Sequence, residues 1–136
     1  QALDLIRVTQ QSFFEGLKFA REGYRLSDIS HAIQTYVESH GYSIVREYVG
    51  HGIGRNMHEA PEVPNYGAPG HGPRLLRGMT IAVEPMVNAG SAAILQMGDG
   101  WTVKTADGKN AAHYENTILI TDAEPELLTD PEKSLV

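Results

Sequence analysis

The stretch MTIAVEPMV, residues 79–87, decides which fold the chain is expected to adopt. Alternate residues from Met79 to Val83 are apolar, which is the period of a β-strand whose two faces meet different environments. Glu84 and Pro85 follow directly. The Glu84 carboxylate lies either on a solvent-exposed face or in a cleft, where a cation or hydrogen bonds must offset the cost of burying its charge. The stretch itself leaves both interpretations open.

A second strand with an internal carboxylate is predicted over residues 113–121, HYENTILIT. Strand alternation places Glu115 on the same face as His113 and Thr117, and that face is again either wet or part of a cleft. If Glu84 and Glu115 share one cleft, metal coordination is the simplest way to hold two carboxylates together.

Two helices are predicted before these strands. Apolar residues at helical spacing predict a helix over residues 3–22, with Gly23 as its C-terminal cap. The apolar residues that fall close to one face of this helix are Leu3, Ile6, Phe13, Leu17 and Ala20. A second helix is predicted to begin at Ser27, its N-cap, and to stop before Gly41. Helices followed by antiparallel strands indicate an α+β fold in which the helices cover one face of a sheet.

The remaining segments predict further strands and one long loop. Residues 42–49 are rich in aromatic and β-branched side chains and predict a strand, and residues 101–105 predict a short one. An Asp-Gly pair at residues 107–108 predicts a hairpin between that short strand and residues 113–121. Residues 61–78 hold four of the seven prolines and four of the fourteen glycines, so we expect a loop held on the surface.

The composition excludes several classes of protein. The chain has 136 residues, with 11 Lys and Arg against 17 Asp and Glu, and a net charge of −6. This charge argues against nucleic acid as a partner, because basic side chains that neutralise phosphates supply most of that affinity. The absence of cysteine removes disulfides, thiolate zinc sites and cysteine nucleophiles. No apolar run approaches the length of a membrane span, so we expect one compact domain without a membrane partner.

The run GHGIG, residues 50–54, places a histidine among glycines. Glycines at every second position let the backbone approach another group closely, and they leave the His51 imidazole without competing side chains. This setting suits a metal ligand, and a turn histidine without function is the alternative. His58 lies seven residues further along and could face the same cleft. Pro61 and the missing second histidine exclude the His-Glu-x-x-His helix of zinc peptidases.

Four segments, taken in order, resemble the motifs of the type I methionine aminopeptidases in their bacterial, cytoplasmic form. They are GHGIGRNMHE (50–59), MTIAVEPMVN (79–88), DGWTVKT (99–105) and HYENT (113–117). The Glu-Pro-Met sequence and the Asp-Gly-Trp segment favour this family over the related prolidases and aminopeptidases P. The resemblance covers essentially the whole chain. It implies half of a pita-bread (creatinase/aminopeptidase-like) fold, in which helices pack on a curved antiparallel sheet.

The resemblance implies a centre of two divalent ions, with cobalt, manganese and iron as the candidates. His51 takes the family's histidine ligand position, and Glu84 and Glu115 take the two glutamate positions. Glu84 would also shuttle the proton while an activated water attacks the first peptide carbonyl, and His58 would donate a hydrogen bond to the scissile peptide or its oxyanion. The residues implied to bind the substrate are His58, Met57, Met86 and Trp101.

The resemblance also implies that part of the site lies outside this chain. In the family, two aspartate ligands come from a segment upstream of the one that matches residue 1, and the first methionine here is Met57. We therefore expect residues 1–136 to be the C-terminal half of one catalytic domain, inactive without its N-terminal half. The expected substrates are the N-terminal methionyl peptides of nascent chains in the cytoplasm. The alternatives are a non-catalytic module that binds peptides or proteins, and half of a split enzyme that a partner chain completes.

Overall fold

The computed structural model describes residues 2–46, 49–54, 59–90, 94–96, 103–105 and 111–129. Within them, two helices precede ten short strands, and this order confirms the predicted α+β fold. The helices are α1 (Ala2–Leu17) and α2 (Leu26–Ser39). The strands are β1 (Ser43–Ile44), β2 (Gly50–Gly52), β3 (Glu59–Val63), β4 (Thr80–Val83), β5 (Met86–Asn88), β6 (Ile94–Gln96), β7 (Val103–Thr105), β8 (Ala111–His113), β9 (Asn116–Leu119) and β10 (Glu126–Leu127).

The buried face of α1 differs from the predicted one. Leu3 and Ile6 are 81% and 54% exposed, whereas Phe13 is fully buried, so the prediction of one shared apolar face is wrong for these two residues. The residues of α1 whose side chains are buried are Leu5, Val8, Thr9, Ser12 and Phe13. The two polar ones are tolerated because each hydroxyl donates to a carbonyl of the same helix, Thr9 to Leu5 at 2.7 Å and Ser12 to Thr9 at 2.6 Å. Apolar spacing alone cannot reveal such a face.

Both helices begin or end at residues other than the predicted ones. α1 ends at Leu17, because the Ala20 amide donates to the Leu17 carbonyl at 3.1 Å and forms a tight turn that buries Ala20. The N-cap residue of α2 is Arg25, whose amide donates to the Asp28 carboxylate at 2.8 Å. Ser27, the predicted cap, instead accepts a hydrogen bond from the backbone of the long loop.

The two carboxylate-bearing strands are interrupted where the sequence predicts continuity. Glu84–Pro85 separates β4 from β5, and Tyr114–Glu115 separates β8 from β9; we call these two dipeptides the strand breaks. At each break the chain passes between a three-stranded sheet, β1-β5-β8, and a five-stranded sheet, β10-β9-β4-β2-β3. Pro85 lacks the N–H that would continue the ladder. The Tyr114 amide donates to the Pro85 carbonyl at 3.0 Å and joins the two breaks.

Three other strand predictions need correction. Within residues 42–46, β1 covers only Ser43–Ile44, and Pro61 lies inside β3 rather than in the loop. The hairpin predicted around residues 107–108 is wrong, because β7 pairs with β6 whereas β8 pairs with β5. The pairing with β5 places β8 in the sheet that the helices cover, which a local turn signal cannot specify.

The core lies beneath the helices and takes side chains from both sheets: α1 contacts β5 and β8, and α2 contacts β1 and β3. Its largest fully buried side chains include Phe13, Ile29, Ile33, Leu75, Ile81, Ile118 and Ile120. The helices approach closely at Gly16, where a Cβ atom would lie 2.9 Å from Ile33 Cγ1. No helix that the structure describes is long and apolar enough to cross a membrane.

Candidate metal centre

The register of the five-stranded sheet brings three distant segments to one face. His51 pairs with Ala82, and Ala82 pairs with Thr117. Side chains two residues apart along a strand share a face, so Glu84 continues the face of Ala82, and Glu115 continues that of Thr117. The pairing therefore directs one imidazole and two carboxylates to the same side of the sheet.

Gly50 explains why β2 can lie close enough to β4 to complete this face. A Cβ atom at Gly50 would fall 2.0 Å from the Ala82 carbonyl oxygen, so no other residue fits here without moving the backbone. Because His51 follows Gly50 in β2, this close approach also determines where His51 lies. The glycine run predicted a close backbone contact, and the structure identifies Ala82 as the group contacted.

The three side chains predicted as ligands lie together. His51, Glu84 and Glu115 each offer one ligand atom, and these atoms lie within 4.8 Å of one another. The His51 Nε2 atom is 2.9 Å from Glu84 Oε2, and these side chains are only 14% and 19% exposed. Glu115 is exposed. The solvent-exposed interpretation therefore does not describe Glu84, whose carboxylate faces an imidazole rather than open water.

The hydrogen bonding of His51 fits a metal ligand. Its Nδ1 atom lies 3.1 Å from the Gly52 carbonyl oxygen, an arrangement in which Nδ1–H donates and fixes the ring orientation. At 2.9 Å the His51 Nε2 atom and Glu84 Oε2 can share either a proton or a metal ion, so the pair is compatible with a metal site. Carboxylates and imidazole are both common ligands of divalent metal ions.

His113 is a residue of this site that the sequence analysis did not assign. Its Nε2 atom lies 3.6 Å from Glu84 Oε1, the second oxygen of that carboxylate. The interaction with Glu84 raises the pKa of His113 above its ordinary value, and Glu115 adds to the increase, whereas partial burial acts in the opposite direction. The sequence signal for His113 is its position two residues before Glu115. This spacing places both side chains on one face, even though the strand is interrupted between them.

The predicted substrate-binding residues are only partly visible. Met86 lies in β5 and is half-buried. It pairs with His113 on the neighbouring strand, and His113 is the residue that contacts the Glu84 carboxylate. Met57, His58 and Trp101 lie outside the described residues.

The sequence of the whole segment that carries this site matches a known family. The model of metallopeptidase family M24 matches residues 1–122. The chain belongs to metallopeptidase family M24. Metal-assisted hydrolysis is the general chemistry of M24 peptidases, so divalent metal use follows from the family, and the cluster of His51, Glu84 and Glu115 is the candidate site for it.

Methionine aminopeptidases are among the relatives of the chain. The chain is 59% identical over 129 residues to the methionine aminopeptidase of Clostridium acetobutylicum, covering 95% of this chain and 52% of that protein. It is 56% identical over 125 residues to methionine aminopeptidase 1 of Bacillus subtilis, covering 92% of this chain and 50% of that protein. The chain thus spans about half the length of the curated relatives it matches.

Comparison with solved structures confirms the predicted pita-bread fold. Methionine aminopeptidase from Thermotoga maritima superimposes with a TM-score of 0.92 at 49% identity, over 94% of this chain and 51% of that one. The Rickettsia prowazekii methionine aminopeptidase gives a TM-score of 0.91 at 45% identity, over 94% and 52%. A prolidase from Pyrococcus furiosus, 19% identical with a TM-score of 0.71, shares the fold alone.

Proposed function

We propose that the protein removes the N-terminal methionine from newly made polypeptides. The observation that carries the proposal is the cluster of His51, Glu84 and Glu115, whose ligand atoms come within 4.8 Å of one another from three separate segments. Bringing charged side chains from distant segments together costs free energy. Such clusters therefore tend to occur at functional sites. The similarity to methionine aminopeptidases supports this substrate class, and nascent chains as substrate favour a cytoplasmic location.

The proposal assigns a task to each residue of the cluster. His51 would hold a divalent ion through Nε2 while the Gly52 carbonyl orients the ring, and Glu84 and Glu115 would supply carboxylate oxygens. When bound there, a divalent ion would supply Lewis-acid chemistry, which lowers the pKa of water and polarises a carbonyl. Glu84 also accepts and returns a proton during hydrolysis, because its carboxylate is half-buried beside two imidazoles. His58 is proposed to donate a hydrogen bond to the scissile peptide, and Met57, Met86 and Trp101 to contact the methionine side chain.

The proposal treats residues 1–136 as the C-terminal half of the catalytic domain. One imidazole and two carboxylates neutralise one divalent ion, whereas two ions held close together need further anionic ligands. The family resemblance supplies these as two aspartates on an N-terminal half, and the coverage of relatives, about half their length, is consistent with that division. We therefore infer that the chain alone is inactive and that the N-terminal half is its partner. Manganese, iron and cobalt are the candidate ions.

Hydrolysis of a methionyl tripeptide tests the proposal. The chain mixed with a segment that carries the two aspartates should release methionine in the presence of Mn²⁺, and the chain alone should not. Glu84→Gln should lower kcat by about 10²–10⁴-fold, the usual contribution of a positioned acid–base group. Glu38→Gln makes the same change on an exposed residue of α2 and should leave kcat unchanged.

Two results would contradict the proposal. Turnover by residues 1–136 alone would refute the division of the site, and equal activity of the two glutamine variants would refute the role of Glu84. Peptide binding without hydrolysis in the complete mixture would instead support the non-catalytic binding module.

A further inference from the structure

The loop after β3 is fastened to α2 by several hydrogen bonds. The Gly67 amide donates to Gln34 Oε1 at 2.8 Å, and the Gly67 carbonyl oxygen lies 3.0 Å from His31 Nδ1. Further along, the Gly70 amide donates to Asp28 Oδ1 at 2.9 Å. The backbone of this loop is therefore fixed relative to the helical layer, and with it the residues at its start.

Asn65, at the start of the loop, reaches from this fixed backbone to the first strand break. Its side chain is fully buried, and Nδ2 donates to the backbone carbonyl oxygen of Glu84 at 3.0 Å. The last ladder pair of β4 joins Val83 to Asn116, so Glu84 lies just beyond the end of the ladder. The Asn65 side-chain amide therefore donates to the Glu84 carbonyl in place of the backbone N–H of a neighbouring strand.

This bond restrains a backbone rotation at the break. The ring of Pro85 fixes its own φ, so the peptide between Glu84 and Pro85 turns mainly about the Cα–C bond of Glu84. A hydrogen bond to the carbonyl of that peptide restrains this rotation. Because Asn65 is fully buried, water cannot easily replace the bond when it is lost.

We propose that Asn65 is a positioning residue that holds Glu84 in the orientation needed to bind a divalent ion beside His51. The inference rests on the proposed function, because it assumes that Glu84 is a ligand. It assigns to the loop and α2 the task of setting ligand geometry, a role outside the ligand cluster itself. Groups that orient ligands in this way typically change metal affinity by about 10–100-fold when they are removed.

The test compares two substitutions that loosen the same loop. Asn65→Leu keeps nearly the same shape and removes the donor to Glu84. Gln34→Ala removes the hydrogen bond at Gly67, two residues further along, and leaves the Asn65 contact in place. The readouts are the Kd for Mn²⁺ from calorimetry, the visible absorption spectrum of the Co²⁺-loaded protein, and the melting temperature.

We expect Asn65→Leu to weaken Mn²⁺ binding about 10–100-fold and to alter the Co²⁺ spectrum. Gln34→Ala should lower the melting temperature yet keep the Kd within about twofold of the wild-type value, since it leaves the orienting contact intact. If Asn65→Leu fails to fold, Asn65→Ser removes the same reach without any risk of overpacking and should show the same loss of affinity.

Two outcomes overturn the inference and are distinguishable from failure of the proposed function. Equal effects of the Asn65 and Gln34 variants on Kd would show that the loop acts only through stability. Unchanged Kd in the Asn65 variants would show that Glu84 needs no such restraint. If instead the wild-type protein binds no Mn²⁺, or Glu84→Gln binds it as well as wild type does, the metal site itself is refuted and the inference falls with it.

Discussion

The helical layer and the strand breaks are held in place by different forces. In the helical layer, fully buried apolar side chains such as Ile29 and Ile33 meet across Gly16, and the cost of disturbing them is lost packing. At the strand breaks, hydrogen bonds and charged groups dominate, with the Glu84 carboxylate between His51 and His113. The comparison indicates that stability and metal binding reside in separate parts of the molecule, so substitutions should separate them.

Ile33→Ala should have the largest effect on stability and almost none on the site. Ile33 is fully buried in α2, and truncating such a residue costs about 2–5 kcal/mol of unfolding free energy through lost transfer energy and a cavity. Denaturant titration measures this loss. Mn²⁺ affinity, measured under conditions where the variant is folded, should stay at the wild-type value. A large drop in affinity would show that the two regions are coupled.

Gly50→Ala should cost less stability but impair the site. The added methyl group would meet the Ala82 carbonyl, so β2 must move away from β4, and overpacking of this kind costs about 1–3 kcal/mol. The movement displaces His51 from Glu84, so Mn²⁺ affinity should fall although the protein remains folded. The two measurements should therefore rank the variants in opposite orders. Ile33→Ala should be the less stable variant, and Gly50→Ala should bind Mn²⁺ more weakly. The same order in both measurements would contradict it.

The sequence predicted which residues form the site better than it predicted how the strands position them. Alternation correctly indicated strands around Glu84 and Glu115, and it continues through both breaks, so the pattern cannot show that each strand changes sheets there. Pro85 is a local signal for the first break, although the predicted strand runs through it. The second break depends on the Tyr114–Pro85 hydrogen bond, a contact between segments far apart in sequence.

Other features depended on tertiary contacts in the same way. The buried face of α1 was mispredicted because Thr9 and Ser12 satisfy their hydroxyls within the helix, and sequence spacing treats them as exposed. His113 and Asn65 contact Glu84 through its carboxylate and its carbonyl, and neither belongs to a motif of its own. Residues that orient a ligand have no fixed spacing from it.

Tyr42→Phe should have the smallest effect, confined to the helical side of the molecule. The Tyr42 hydroxyl donates to the Asp4 carboxylate and, together with Arg7, holds the pKa of Asp4 below its ordinary value. A lowered carboxyl pKa contributes stability above the ordinary pKa, and this contribution is lost as the pH falls through the lowered value. The variant should raise the Asp4 pKa toward its ordinary value in an NMR titration and leave Mn²⁺ binding unchanged. An unchanged Asp4 pKa would exclude the hydrogen bond as its cause.

The most direct test of the central claim is the anomalous scattering of manganese in crystals of the protein soaked in Mn²⁺. We predict a peak that contacts His51 Nε2 and carboxylate oxygens of both Glu84 and Glu115. A peak elsewhere, or a fully occupied ion that contacts only one of the three residues, would contradict the assignment of the cluster as the metal centre.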